Sequence, residues 1–261
     1  MEENFSQRET VYYAGSDENH PETAFERFKR ETGNELFRYQ GFLTTFSLLI
    51  LLVLYPAASL YNGGQDPTQL LKSLDQFMIM VLLIVTVIFQ WGIFLVNYLS
   101  VWLEKTGLRG IGLTKIRGID FAWTIAFLLG AFVVMVGLEW FMGQVGIPIN
   151  GDVGLLIPKD FWGRIVWVCV AATAGFCEEV AFRGYIMTRL RLIGRLNSWT
   201  IPVIVSSVVF GACHAYQGLP GFIAISIFGA MFALLYIRTG SLWPCIFAHF
   251  LWDFGALFYP K

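Results

Sequence analysis

Gly175-Phe176-Cys177-Glu178-Glu179-Val180-Ala181-Phe182-Arg183-Gly184-Tyr185 sets two adjacent carboxylates and an arginine near the middle of a run otherwise apolar enough to cross a membrane. A charged side chain at bilayer depth costs at least ~2.5–3.5 kcal/mol. Such groups persist where they are paired, line a wet cavity or do chemistry.

Around that stretch the 261-residue chain is 56% hydrophobic and 14% charged, with 24 Phe and a mean hydropathy of +0.60. A typical soluble chain carries ~25% charged residues, so the composition predicts an all-α, polytopic membrane helical bundle. The lipid bilayer is its first partner. A net charge of −1 argues against nucleic acid. Residues 1–38 hold nine acids and five Lys/Arg, are expected to form a polar cytoplasmic tail and carry no signal-peptide pattern. His20 reads as a solvated tail residue, and Ala24–Gln40 as a short helix at the membrane surface. Cys169, Cys177, Cys213 and Cys245 all fall in apolar runs without CxxC spacing, and read as small apolar fillers.

Runs of about 20 apolar residues, the length that crosses ~30 Å of hydrocarbon, predict about seven transmembrane helices. They lie near 41–60, 76–103, 120–143, 162–190, 199–216, 220–237 and 242–258. The expected organisation is the tail 1–38, helices one to three within 39–160, and a core of helices four to seven within 161–261. Thirteen Lys/Arg fall on the side of the N-terminus against four on the other, which predicts N-terminus in and C-terminus out. Absence of organellar signals leans to a prokaryotic cytoplasmic membrane. Gly107–Ile119, basic and punctuated by glycine, is expected on the cytoplasmic face. No repeat pair of the transporter kind is visible.

Within the opening stretch, Glu179 and Arg183 stand four apart, acid first, the favourable order for a pair on one helix face. Glu178 lies ~100° round the helix and needs another partner. Helix five carries Phe210 and His214, and helix seven carries His249 and Asp253 at i, i+4. A Glu and a His converging on one water make a general base, and a second His with an Asp can stabilise an oxyanion. The same two Glu, two His and one Asp could instead ligate zinc, with a Glu as base, although HExxH is absent. Small residues beside these positions, Gly175 and Gly211 among them, would let the helices approach closely.

The ordered set EExxxR (Glu178, Glu179, Arg183), FxxxH (Phe210, His214) and HxxxD (His249, Asp253) resembles the CPBP family. These are the CAAX proteases and bacteriocin-processing proteins, also called Abi, and they include the type II CAAX prenyl endopeptidases. The resemblance covers about residues 162–258. It implies an intramembrane glutamic endopeptidase, without an expected cofactor, acting on a membrane-anchored or lipidated peptide or protein. By motif match Glu178 would activate water together with His214, Arg183 would hold Glu179, and His249 with Asp253 would form the oxyanion side. The prenyl endopeptidases usually have Asn where this chain has Asp253. Ionised Asp cannot donate to an oxyanion, so a protonated Asp253, or one that orients His249 or helps bind a metal, is expected. The alternatives are a zinc-dependent membrane hydrolase using the same residues and a non-catalytic immunity or binding protein.

One conflict stands. At ~1.5 Å per residue, Glu178 falls ~18 Å, His249 ~10 Å and His214 ~23 Å from the cytoplasmic ends of their helices. Convergence therefore needs tilted helices or shifted boundaries.

Overall fold

The computed structural model describes residues 34–63, 74–104, 106–147, 156–194, 196 and 198–258. His20, the residues at the C-terminal end beyond 258 and most of the expected surface helix over Ala24–Gln40 lie outside them. Seven long helical segments run through the described residues. They are α1 (34–63), α2 (Gln76–Leu103), α3 (Gly118–Gln144), α4 (Phe161–Ile193), α5 (Thr200–Ala212), α6 (Gly218–Thr239) and α7 (Trp243–Gly255). Among the described residues five segments are long and apolar enough to cross a membrane: Phe42–Tyr61 in α1, α2, α3, α4, and Ala215–Thr239, which spans α6. The chain is an all-helical integral membrane protein. At 13 residues each, α5 and α7 reach only ~20 Å.

The apolar run that carries the opening motif is the centre of the bundle. In α4 67% of the most apolar window is buried, against 11% in α3, so α3 turns its Leu, Val and Phe side chains to lipid while α4 is enclosed. Asp160 starts α4 by accepting from Gly163 N at 2.9 Å, which satisfies one of the amides that a helix start leaves without a partner. The helix is α-helical over Phe161–Glu179, widens to a π-helical stretch over Val180–Ile186, and tightens again over Met187–Ile193. Every residue of the wide stretch is buried. Such widened turns are rare and frequently found at functional sites, although a second one lies in α1 over Ile50–Leu54. Here Ser206 Oγ of α5 donates to Phe182 O at 3.0 Å, which ties the wide turn to its neighbour.

Close approach is bought by glycine where α4 meets α7. A Cβ on Gly175 would stand 2.9 Å from Phe250 N and 3.0 Å from Ile246 O, closer than any side chain tolerates. That proximity sets the two glutamates against the histidine face of α7.

Two features bear on the conflict in depth, one a shifted boundary and the other a packing contact. α5 ends at Ala212, so His214 lies in the turn that leads into the 3-10 turn Ala215–Gln217 instead of deep in a long helix. α7 starts above another part of the chain. The 3-10 turn Leu108–Ile111 tucks Ile111 fully inside, and Gly112 O accepts from Leu242 N at 2.8 Å. Trp243 Nε1 donates to Thr114 O at 2.6 Å and Tyr236 OH to Ile111 O at 3.0 Å. The segment expected to lie on the membrane face thus forms a floor under the α6–α7 turn, while the approach of α7 to the glutamates comes from the contact at Gly175.

A second buried polar cluster joins α1, α2 and α4. Thr44 Oγ1 and Ser100 Oγ donate to Glu104 Oε1 at 2.7 and 3.2 Å, and Glu104 pairs with Arg189. Arg189 counts among the cytoplasmic cations in the sequence, yet it is only 2% exposed. Three of the four cysteines are buried as expected of fillers, and Cys169 is exposed.

Candidate active site

The α4 carboxylates end the α-helical part of that helix, just before the wide turn. Glu179 is fully buried and accepts from Arg183 Nη1 at 3.1 Å. Arg183, also fully buried, sends Nη2 to Gly229 O of α6 at 3.2 Å. Gly229 has to be bare there, since its Cβ would lie 3.1 Å from the Phe210 ring and 3.4 Å from Arg183 Nη2. The guanidinium lies 4.2 Å from the Phe210 ring centre and 5.1 Å from that of Phe232. Flat, delocalised and flanked by π-faces, it is matched to a buried site in a way that an ammonium is not. The pairing read from the i, i+4 spacing is therefore present, within a cage of two phenylalanines.

Across the gap between α4 and α7, His249 Nδ1 meets the same Glu179 oxygen at 2.8 Å. A carboxylate accepts, so Nδ1 carries the proton and Nε2 is aimed the other way. Nε2 stands 3.9 Å from Glu178 Oε2 and 3.5 Å from Asp253 Oδ2. The imidazole stacks 5.4 Å from Phe232, with 28° between the planes, which limits its rotation. One oxygen of Glu179 thus serves both Arg183 and His249, and holds the ring in position.

Glu178 is 7% exposed and lacks the arginine. Its Oε1 accepts from Gln90 Nε2 of α2 at 2.6 Å, leaving Oε2 towards His249. Asp253 is anchored through its backbone, where Trp167 Nε1 of α4 donates to its carbonyl at 3.0 Å. His214 comes to the same region from α5. Its Nδ1 meets Phe210 O at 2.8 Å; a carbonyl accepts only, so Nδ1 is the protonated nitrogen and Nε2 keeps its lone pair. Its ring lies 4.9 Å from Phe210, whose ring is 6.2 Å from that of His249. Among the described residues no hydrogen bond or ion pair joins His214 directly to Glu178; His249 is the histidine at the glutamate pair.

Gln90 is a member of this set that the motifs do not contain. A signal for it existed. Gln90 and Asn97 stand seven apart in a run of apolar residues, and with Leu83 and Val101 they are buried members of α2. The polar pair marks the face of α2 that looks inward.

Among the described residues no three His, Cys, Asp or Glu side chains form a group that could hold a metal ion. What the arrangement offers chemically is a carboxylate with one open oxygen, an imidazole fixed by a second carboxylate, and a third carboxylate beside the imidazole.

A helical membrane protein with a buried acid–histidine centre is the class that fold and site define. Residues 160–255 match the family described as Type II CAAX prenyl endopeptidase Rce1-like. The match runs from the cap of α4 through α7 and takes in every site residue named above except Gln90. The family is one of proteases, which supports a hydrolase. No curated protein and no solved structure matches the chain.

Proposed function

We propose that the protein is an intramembrane endopeptidase that hydrolyses a peptide bond in a membrane-associated substrate, of the prenylated CaaX type in its family, with water activated by Glu178. The observation that carries the reading is the divided use of the two glutamates. Glu179 gives one oxygen to both Arg183 and His249, its other oxygen being buried without a hydrogen-bond partner among the described residues, whereas Glu178 directs an oxygen at His249 Nε2 from 3.9 Å. That distance is too long for a direct hydrogen bond. It suits an oxygen atom ~2.8 Å from both groups, seated to one side at about a right angle.

In this reading Glu178 Oε2 takes a proton from the water as its oxygen attacks the scissile carbonyl carbon. His214 Nε2, with its lone pair kept by the Phe210 contact, is the second group assigned to that water. The developing oxyanion faces His249, which holds protons on both Nδ1 and Nε2 throughout the cycle, and a protonated Asp253 beside that same Nε2 at 3.5 Å is the second donor. Collapse of the tetrahedral carbon breaks the C–N bond, and Glu178 returns its proton to the leaving amine. Glu179 and Arg183 act by orienting His249. The thirteen Lys/Arg on the side of the N-terminus, against four on the other, support a cytoplasmic N-terminus.

Two measurements test this. Hydrolysis of a farnesylated CaaX-type peptide by the purified protein is expected to survive exhaustive chelation, with activity within twofold of the untreated protein. Loss on chelation and return with zinc would transfer the water to a metal. The role of Asp253 is separated by two variants: Asp253→Asn, which can donate a hydrogen bond, is expected to keep activity, and Asp253→Ala to lose ~10²-fold, the scale of one oxyanion donor. An Asn variant as impaired as the Ala variant would make the carboxylate itself the requirement.

A further inference from the structure

Gln90 lies on α2, outside the segment that matches the family, and none of the hydrolytic steps above uses its oxygen. The side chain is 5% exposed. Its Nε2 donates to Glu178, and its Oε1 is buried without a hydrogen-bond partner among the described residues. Because an ionised carboxylate only accepts, the amide cannot be turned round: nitrogen faces Glu178 and oxygen faces away.

A buried carbonyl without a donor is costly; Gln90 Oε1 shares that state with other buried side-chain atoms, Asn97 Nδ2 and Glu179 Oε2 among them, and differs from them in that its own amide nitrogen holds Glu178. A resident water would itself need two to four polar partners. The neighbours of Gln90 three and four positions along α2 are Thr86, Val87, Ile93 and Phe94. Thr86 has turned its hydroxyl back to Leu82 O at 2.9 Å, and the others are apolar. A peptide N–H needs no further partner at that spot, because the rest of its chain is solvated or bonded elsewhere.

We infer that Gln90 Oε1 accepts a backbone N–H of the peptide substrate while Nε2 of the same amide holds Glu178, so that one side chain sets the scissile bond in register with the base. The inference rests on the peptidase reading and deepens it. The ligand class is an extended peptide whose accepting and donating groups flank the cleaved bond. Gln90 is a substrate-positioning residue supplied by α2, and the matched segment by itself lacks it.

The test is a set of farnesylated CaaX-type hexapeptides in which each non-scissile backbone N–H is replaced in turn by an ester oxygen. With the wild-type protein one ester position is expected to lower kcat/KM about tenfold, chiefly through KM, the scale of one hydrogen bond (1.4 kcal/mol per tenfold). In Gln90→Met the all-amide peptide is expected to lose a similar factor, and the ester at that position to cost nothing further. A purely structural Gln90 would lower activity on every peptide alike and leave the ester penalty in place; that result, or a flat ester series in the wild type, overturns the inference. If Gln90→Met does not fold, Gln90→Asn, with the acceptor withdrawn by one methylene, carries the same comparison. Glu178→Gln distinguishes the two levels. If it still cleaves, Glu178 is not the base and the mechanism proposed for the peptidase fails. If it is inactive while the ester penalty persists in the Gln90 variant, only the Gln90 assignment fails.

Discussion

Glu178→Gln is expected to lower kcat by ~10²–10⁴-fold, the usual contribution of a positioned general base, in a protein whose melting temperature is unchanged or raised. The stability half of this expectation follows from the partners. Glu178 meets a neutral amide at 2.6 Å and an imidazole nitrogen at 3.9 Å, and among the described residues no Lys or Arg is paired with it. A glutamine in its place can still accept from Gln90 Nε2, and it removes a charge buried at 7% exposure. Burying an ion without a directly bonded cation is costly, so neutralising it relieves the fold. Function held at the expense of stability is a common trade at active sites. Glu179→Gln should behave in the opposite way, because it strips the fully buried Arg183 of its carboxylate. Thermal unfolding of the two variants side by side, with peptide cleavage on the same samples, is the measurement. Equal destabilisation of both would mean that the glutamates share one structural task. A folded Glu178→Gln protein that cleaves normally would place the base elsewhere, and if it also kept its biological effect the non-catalytic reading would gain.

Much of the helical layout was legible because lipid imposes a simple rule on sequence. Backbone groups in hydrocarbon must be satisfied within the segment, so apolar runs of the right length become helices; Gln76–Leu103 matches its expected bounds of 76–103 to the residue. The rule fails where a helix is covered by protein instead of lipid. The apolar run expected over 199–216 breaks at Ala212 because the following turn is packed against α1, with Tyr216 N donating to Ser59 Oγ at 3.4 Å. Apolar content alone cannot distinguish that turn from another membrane helical turn. The wide turn over Val180–Ile186 is likewise silent in sequence, and Ser206 of α5, which holds Phe182 O, lies 24 positions away. For the site, local spacing carried the contacts made within one helix, Glu179 with Arg183 and His249 with Asp253. Contacts between helices needed the fold. The sequence offers no means of choosing between His214 and His249 as neighbour of the glutamates, and Gln90 is separated from Glu178 by 88 positions. The buried pair of Glu104 with Arg189 was concealed for a related reason: a charge near a predicted helix end reads as a loop charge until α1 is seen to cover it.

Arg183→Met is expected to have the largest effect on stability of any single change in the site, ~3–5 kcal/mol, the cost of leaving one member of a buried ion pair uncompensated. The arginine loses bonds to Glu179 at 3.1 Å and to Gly229 O at 3.2 Å, together with the face of Phe210 at 4.2 Å. Lysine is no substitute, because a single ammonium cannot reach along two directions in one plane between aromatic faces. Activity should fall as well, since Glu179 would no longer be fixed and His249 depends on it at 2.8 Å. The double variant Glu179→Gln/Arg183→Met separates these effects. With both charges removed and similar volumes kept, the fold should recover most of the lost stability, as buried ion pairs replaced by apolar or neutral groups often do. Cleavage should stay lost, because an amide at position 179 no longer gives His249 a carboxylate partner. Recovery of folding without recovery of hydrolysis is the signature of a pair retained for orientation. If the double variant regained activity, His249 would need no carboxylate behind it. If it stayed as unstable as Arg183→Met alone, the arginine would act mainly through Gly229 and Phe210, and the ion pair would be incidental to the fold.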